Sequence, residues 1–400
     1  MAPVTPRNAS RLRVNEQRLT DALRLLGPAT RAELGAATRL SRATVSSGVS
    51  ALLQAGLVME TGEAAPAGPA GGRPPSVVRL GPRAGLAVGV DVGRTHLRVA
   101  VADLGHQVLA EQSARLDLGS PPAEVLDQAA ALVGSVLADA GLDPATVVGV
   151  GLGLPAPVDQ RTGRVAESDI LLPGWAGLLA SEELAGRLGR VVLVENDANL
   201  GALAEYLWGA AHGSDTVVYV KVATGIGAGL VLNGQLFRGV SGLAGELGHV
   251  TLDEHGDVCR CGNRGCLELV SGGAALVDAL RRSRTYNDLE SVEQVVALAA
   301  GGDPGARRLI ADAGEHLGVA IGSMVNLLNP SRVVVGGELG LAGDILLDPL
   351  RLALRRSAVH PAADAVEVVR GQLGERSEVL GAVAVVLLEP ARARLVPPGT

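Results

Sequence analysis

Two stretches of this chain repeat one pattern, and the repeat limits its fold more than any other feature. LAVGVDVGRTHLRVAVADLGHQVLAEQSARL, from Leu86, alternates as strands around DVGRT; TVVYVKVATGIGAGLVLNGQLFRG, from Thr216, does the same around TGIGAG. Each turn joins glycine to threonine: Gly93 and Thr95 in the first, Thr224, Gly225 and Gly227 in the second. Glycine lets backbone N–H groups approach an anion, and a threonine hydroxyl adds a donor, so the pair reads as two phosphate loops. Helical patterns at 124–140, 198–208, 305–328 and 379–388 intervene with buried strands at 147–155, 191–196 and 332–337. Strands alternating with helices in two similar halves predict an α/β body of two lobes with a cleft between them. Lobe 1 is expected at 85–210 and lobe 2 at 211–378, with 379–400 a C-terminal helix and tail that returns to lobe 1.

The segment before the body has a different character. Up to Arg83 the chain carries eleven arginines and five acids, a balance of +6, whereas the remainder stands at −13. A basic head on an acidic body points to a polyanion met by the head alone. Residues 1–14 read as a loose arm, and 15–82 as a winged helix-turn-helix with its linker. Leu19, Ala22, Leu23 and Leu26 share one helical face that ends at Gly27-Pro28. Thr30 and Glu33 form a capping box for a second helix. Ser41 caps a third, whose Val45, Val49, Leu52 and Leu53 face inward. Its outer face presents Arg42, Thr44, Ser46 and Ser47, side chains suited to base edges and phosphates of double-stranded DNA. The competing reading is a tri-helical bundle for protein contacts, with the serines merely solvated. Arg73, at the tip of a glycine-rich wing, either enters a minor groove or is an ordinary loop charge.

Two Trp, three Tyr and one Phe in 400 residues exclude recognition by aromatic base stacking. No apolar run reaches the ~18 residues of a membrane span. The polar, arginine-rich N-terminus lacks a secretory core, so a cytoplasmic location without a membrane partner is expected.

All three cysteines, Cys259, Cys261 and Cys266, fall within eight positions, with His249 ten residues upstream of the first. Three thiolates and an imidazole complete a tetrahedral zinc shell and leave no open position, which excludes a zinc-dependent hydrolase and makes the ion structural. His255 is the competing fourth ligand. A metal-bound imidazole keeps its second nitrogen in a fixed tautomer, beside Glu246 and Glu268. VENDAN sets Asn196 and Asp197 at the end of a buried strand, where ligands of α/β sheets gather. Asp197 there serves either as a base toward a substrate hydroxyl or as a helix cap. Several carboxylates, an Asn and a His suit the hydroxyls of one sugar.

Together, VENDAN, GELGH, CRCGNRGCLE, DVGRT and TGIGAG resemble the ROK family (repressors, open reading frames and sugar kinases) over nearly the full chain. The match is best to its regulator branch. The resemblance implies a winged helix-turn-helix followed by an actin/hexokinase-like body, that is, a duplicated ribonuclease-H-like fold. It implies sugar contacts from Asn196, Asp197, Glu246, His249 and Glu268, Asp197 as the family's catalytic base, and zinc on His249, Cys259, Cys261 and Cys266. It implies operator DNA, bound as a homodimer or dimer of dimers, and a monosaccharide or sugar-phosphate effector. Arg94 and His96 stand where the kinases carry a second glycine and a Lys or Asn, and Glu338 where they keep a small residue. These departures make the phosphate loops degenerate and argue against ATP and Mg2+. The expectation is therefore a sugar-responsive repressor without turnover; the alternative is an ATP-dependent, glucokinase-like sugar kinase carrying a DNA head.

Overall fold

The computed structural model describes residues 6–61, 76–116, 119–166, 174–282 and 286–389. They divide into two compact units, residues 1–152, 181–193 and 382–400 forming one and residues 153–180 and 194–381 the other.

The first unit opens with α1 (Pro6–Leu26), β1 (Ala29–Thr30), α2 (Arg31–Thr38), α3 (Arg42–Gln54), β2 (Val58–Thr61) and β3 (Val77–Leu80). The strands form an antiparallel sheet in the order β1-β3-β2, the wing of a winged helix-turn-helix. Both predicted caps are present: the Thr30 hydroxyl accepts from the Glu33 amide while Glu33 reaches back to Thr30, and Ser41 accepts from the Thr44 amide. Leu19, Leu23, Leu34, Val45, Val49 and Leu52 bury one another in the core. Leu26, expected on the inner face, is 51% exposed because α1 ends there. The first helix also begins at Pro6, inside the segment read as a loose arm. Proline is well suited to a first helical turn, and the polar residues after it carry no apolar stripe by which sequence could register a helix. Arg73 lies outside the described residues.

Continuing, β4 (Leu86–Val92), β5 (His96–Asp103), β6 (Val108–Arg115), β7 (Val147–Leu154) and β8 (Val192–Asn196) form one sheet in the order β6-β5-β4-β7-β8. The amphipathic α4 (Pro122–Asp139) buries Val125, Leu126, Ala129, Val133, Val136 and Leu137, and α5 (Ala180–Leu188) precedes β8. The head is tied to this sheet by two polar contacts. Arg79 donates to the fully buried Asp103 carboxylate at 2.6 Å, and that carboxylate also accepts the Gly105 and Gln107 amides. His106 Nε2 lies 2.7 Å from the Arg24 carbonyl near the end of α1; a carbonyl only accepts, so Nε2 carries the proton.

In the second unit, α6 (Asp197–Trp208), β9 (Thr216–Val222), β10 (Ile226–Leu232) and β11 (Gln235–Phe237) are followed by α7 (Glu268–Ser271), α8 (Gly273–Arg281), α9 (Val292–Ala300) and α10 (Pro304–Leu328). Next come β12 (Arg332–Gly336), α11 (Asp344–Ser357), α12 (His360–Ala365), β13 (Glu367–Arg370) and α13 (Ser377–Leu388), whose later residues, from Ala382, fall in the first unit. The sheet runs β11-β10-β9-β12-β13, antiparallel through β9 and parallel beyond it. Val218, Val220, Val222, Val333 and Val335 pack beneath the helices with Ile310, Leu317 and Ile321 of α10. Among the described residues no helix is long and apolar enough to cross a membrane.

Candidate functional site

The candidate site lies in the second unit, where β8 gives way to α6. Asn196 is the N-cap: its Oδ1 accepts the Ala198 amide at 2.9 Å and the Asn199 amide at 3.4 Å. Capping is thus done by the neighbour, and Asp197 is the first helical residue. Asp197 Oδ1 accepts the Ala198 amide at 2.8 Å, and Oδ2 accepts from Lys221 Nζ at 2.9 Å. Lys221 also meets Glu378 Oε1 at 2.7 Å. Beneath them Glu195, 1% exposed, accepts from the Asn196 amide and Asn199 Nδ2 and pairs with Arg238. A buried carboxylate therefore fixes the backbone on which Asn196 and Asp197 stand.

Glu246 precedes a single turn, Leu247–His249, that carries His249 toward the cysteines. His249 Nδ1 lies 3.6 Å from Cys259 Sγ, and Cys261 and Cys266 are 3.6 Å apart. One ligand atom from each of the four residues falls within 4.8 Å of all the others. The loop that gathers them is held by its backbone: Thr251 bridges to Cys266, Val258 to Arg264, and the Cys259 amide donates to Asn263 at 2.7 Å. Burial and the adjacent Cys261 and Cys259 thiols push the Cys266 thiol up to about 12. Thiols crowded in this way are relieved by a cation that displaces their protons. His255, the rival ligand, is outside the group.

With Nδ1 toward sulfur, His249 turns Nε2 to Glu246, 3.8 Å from Oε2. Desolvation raises the Glu246 carboxyl above its ordinary range and the Glu268 and Asp197 carboxylates add to this, while His249 and Arg260 oppose it. These mutual influences place Asp197, Glu246, His249 and Glu268 in one cluster. Glu268 opens α7; its Oε2 accepts the Ile226 amide at 3.0 Å and its Oε1 meets Arg260 Nη2 at 2.7 Å. Such an arrangement offers carboxylate acceptors and one imidazole N–H on rigid backbone, a set that hydrogen-bonds hydroxyl groups.

Lys221 and Arg260 were not singled out from sequence. Signals existed for both: Lys221 is the one lysine in 400 residues, and Arg260 sits between two metal-type cysteines.

The two glycine turns fall in different units. In the first, the Gly93 amide donates to the His96 carbonyl at 2.9 Å, and the His96 ring occupies the space of a Gly93 Cβ, 2.2 Å from it at Cε1. His96 Nε2 lies 3.0 Å from Asp91 Oδ2 and 3.1 Å from Arg98 Nη1. Thr95 is exposed beside them. In the second turn Thr224 is exposed, and a Cβ on Gly225 would lie 2.4 Å from Glu268 Oε2. On Gly227 a Cβ would meet Ala198 Cβ at 3.1 Å. These glycines have a packing reason, since β10 runs close against α6. In the head, Arg42, Ser46 and Ser47 are exposed on α3, while the Thr44 hydroxyl lies 2.8 Å from that of Ser41.

The model of the ROK family matches residues 87–389. The xylose repressor of Bacillus subtilis is 29% identical over 375 residues, 94% of this chain and 95% of the repressor. The glucokinase of Thermotoga maritima is 32% identical over 311 residues, 75% of this chain and 96% of the kinase. A crystal structure of a ROK family transcriptional regulator, a homologue of the Escherichia coli MLC protein, superposes with a TM-score of 0.74 at 28% identity, covering 95% of this chain and 97% of that one. The kinase match covers three quarters of this chain, whereas the two regulators cover more than nine tenths of it, which takes in most of the head. With its winged head and its actin/hexokinase-like body, this chain belongs to the ROK family, in the family's transcriptional-regulator branch.

Proposed function

We propose that this protein is a sugar-responsive transcriptional repressor of carbohydrate-utilisation genes that binds operator DNA as a homodimer or dimer of dimers and has no kinase turnover. The observation that carries the reading is the presence, in one chain, of a winged head and a cluster of hydroxyl-binding type built on a metal-type loop. In the head, Arg42, Thr44, Ser46 and Ser47 of α3 face the operator. In the body, Asn196, Asp197, Glu246, His249 and Glu268 take the sugar. A relative aligned over head and body together is named a xylose repressor, which supports both halves of this reading.

Zinc is the metal that fits the His249, Cys259, Cys261 and Cys266 set. Zn–S bonds of ~2.3 Å put tetrahedral sulfurs ~3.8 Å apart, and the Cys261–Cys266 separation of 3.6 Å is close to that edge. Held by these four residues, zinc would supply structure, with His249 kept in one tautomer and the loop bearing Arg260 and Glu268 held in orientation. ATP and Mg2+ fit less well, because the His96 ring fills the space beside Gly93 and its Nε2 lies at Asp91.

Operator affinity measured with and without a panel of monosaccharides and sugar phosphates tests the proposal; no change with any of them refutes it. A second reading, an active ATP-dependent sugar kinase, is favoured by Asp197 at its strand end and by similarity to glucokinase. Sugar-dependent ADP release that is lost in Asp197→Asn would establish it in place of the first.

A further inference from the structure

Lys221 is the only lysine of the chain, and it stands at the carbohydrate cluster rather than on an outer face. It is carried on β9, whose other side chains from Val217 to Val222 are buried and uncharged. Its ammonium lies between two carboxylates on different helices, 2.9 Å from Asp197 Oδ2 at the start of α6 and 2.7 Å from Glu378 Oε1 in the first turn of α13. All three side chains are at least four-fifths buried, so the pairing is screened little by solvent. A cation so placed fixes the orientation of the Asp197 carboxylate, whose remaining lone pairs can accept from a hydroxyl.

The charge balance of the cluster points the same way. Asp197, Glu246, Glu268 and Glu378 are four carboxylates, set against Lys221 and Arg260, each already paired, and the His249 imidazole beside Glu246, so that acid groups outnumber basic ones. A phosphate would bring roughly 1.5 to 2 further negative charges into a group that is already net negative, and it would have to draw Lys221 or Arg260 away from a buried carboxylate, at the cost of leaving that carboxylate unpaired. An uncharged polyol needs only acceptors, which the cluster has in excess.

We propose that Lys221 is a specificity-determining residue of the carbohydrate site, holding the Asp197 carboxylate in place as an acceptor for a sugar hydroxyl so that the effector is an unphosphorylated sugar. This rests on the sugar-responsive reading above and narrows it to one chemical class.

A single lysine makes the test direct. The full chain labelled with 15N at lysine Nζ gives one side-chain ammonium signal, and it is expected to shift when xylose, glucose or N-acetylglucosamine binds. Calorimetric affinities for glucose and N-acetylglucosamine are compared with those for their 6-phosphates, with the free sugar that binds expected to be about tenfold or more the tighter. Lys221→Met should weaken that sugar by about tenfold or more, the scale of a hydrogen-bonded charge, while Lys221→Arg retains most of the affinity. If Lys221→Met fails to fold, the signal from the unaltered chain still decides. A phosphorylated sugar that outcompetes its free form, or an ammonium signal unmoved by a sugar that binds, overturns this proposal and leaves the sugar-responsive reading standing. Failure of every free and phosphorylated sugar to bind overturns both.

Discussion

Gly229, the last glycine of TGIGAG, distinguishes packing from anion binding as the reason for that motif. A Cβ built on Gly229 falls 2.5 Å from the Ala198 carbonyl oxygen and 2.6 Å from Ala202 Cβ. Both neighbours belong to α6, and one is backbone, so no side-chain rotation relieves the contact. Ordinary contact begins at 3.4 Å, hence Gly229→Ala requires α6 to withdraw by about 1 Å. Ala198, Leu200, Gly201, Ala202, Leu203 and Ala204 are all buried on that helix, so withdrawal opens gaps along it while relieving one clash. Overpacking of this kind costs about 1–3 kcal/mol. The same displacement moves Asn196 and Asp197, which open α6, and binding constellations tolerate only ~0.5 Å. Gly229→Ala should therefore lower both the thermal midpoint and the affinity for the responsive sugar. Gly186→Ala, on α5 with nothing within 4 Å of the new methyl, should instead stabilise by about 0.5–1 kcal/mol. Differential scanning calorimetry with sugar titration checks both. A Gly229→Ala protein as stable as the unaltered chain, with unchanged sugar affinity, refutes the packing argument and returns the glycine to a role in anion approach.

Chelation of the purified chain should remove one zinc per chain by elemental analysis, lower the unfolding temperature and abolish sugar binding; a metal-free protein with full stability contradicts this. Arg42→Ala, at the exposed start of α3, should weaken operator binding by about 1–3 kcal/mol without altering sugar affinity; unchanged gel-shift affinity removes Arg42 from the DNA-reading face. Asp303 caps α10, and its carboxyl is held below the ordinary range chiefly by the Ala306 amide and then by the Tyr286 hydroxyl. A carboxyl depressed on folding contributes stability above its unfolded pKa and loses it as pH falls through the lower folded value. Asp303→Asn, which can still cap, should flatten that acid limb in unfolding curves recorded below about pH 4; an unchanged acid limb would place its origin elsewhere.

What could be read from the sequence was whatever depended on neighbours a few residues apart. The Thr30–Glu33 box, the Ser41 cap and the Val45, Val49, Leu52 stripe are local signals and recur in the structure. The strands 147–155 and 191–196 agree with β7 and β8 to within a residue or two, because both are nearly continuous apolar runs whose side chains are buried on both faces. The grouping of His249 with the three cysteines was legible because cysteine is used nowhere else, and the structure brings these four side chains together. Asp197 was harder: local sequence allowed either a cap or a base, and only the hydrogen bonds of Asn196 assign capping to the neighbour. Lys221 could not be placed, since its meaning lies in Glu378, which reaches it through the tertiary fold from far along the chain. The glycines of TGIGAG are ambiguous for a related reason. Glycine marks close approach, and the sequence does not say whether an anion or a helix approaches.

If the protein regulates without turnover, its cysteine loop gives a physical reason for it to keep a metal. Cys259 and Cys261 flank Arg260, and Arg260 meets Glu268, whose other oxygen accepts the Ile226 amide beside the second glycine turn. On the opposite branch His249 points Nδ1 at the cysteines and Nε2 toward Glu246. A loop of this length without its own apolar core cannot hold two carboxylates at fixed positions, because ordering each residue costs about 1–2 kcal/mol of backbone entropy. A tetrahedral ion on His249, Cys259, Cys261 and Cys266 would fix both branches at once, and apparent zinc-binding energies of about 10–16 kcal/mol in small domains would offset a large part of the cost of ordering that segment. On the proposed reading, metal, Arg260 and His249 would be parts of one positioning device for Glu246 and Glu268. On this argument Arg260→Ala should weaken sugar binding while leaving zinc content at one per chain, separating the orienting of Glu268 from the holding of the ion.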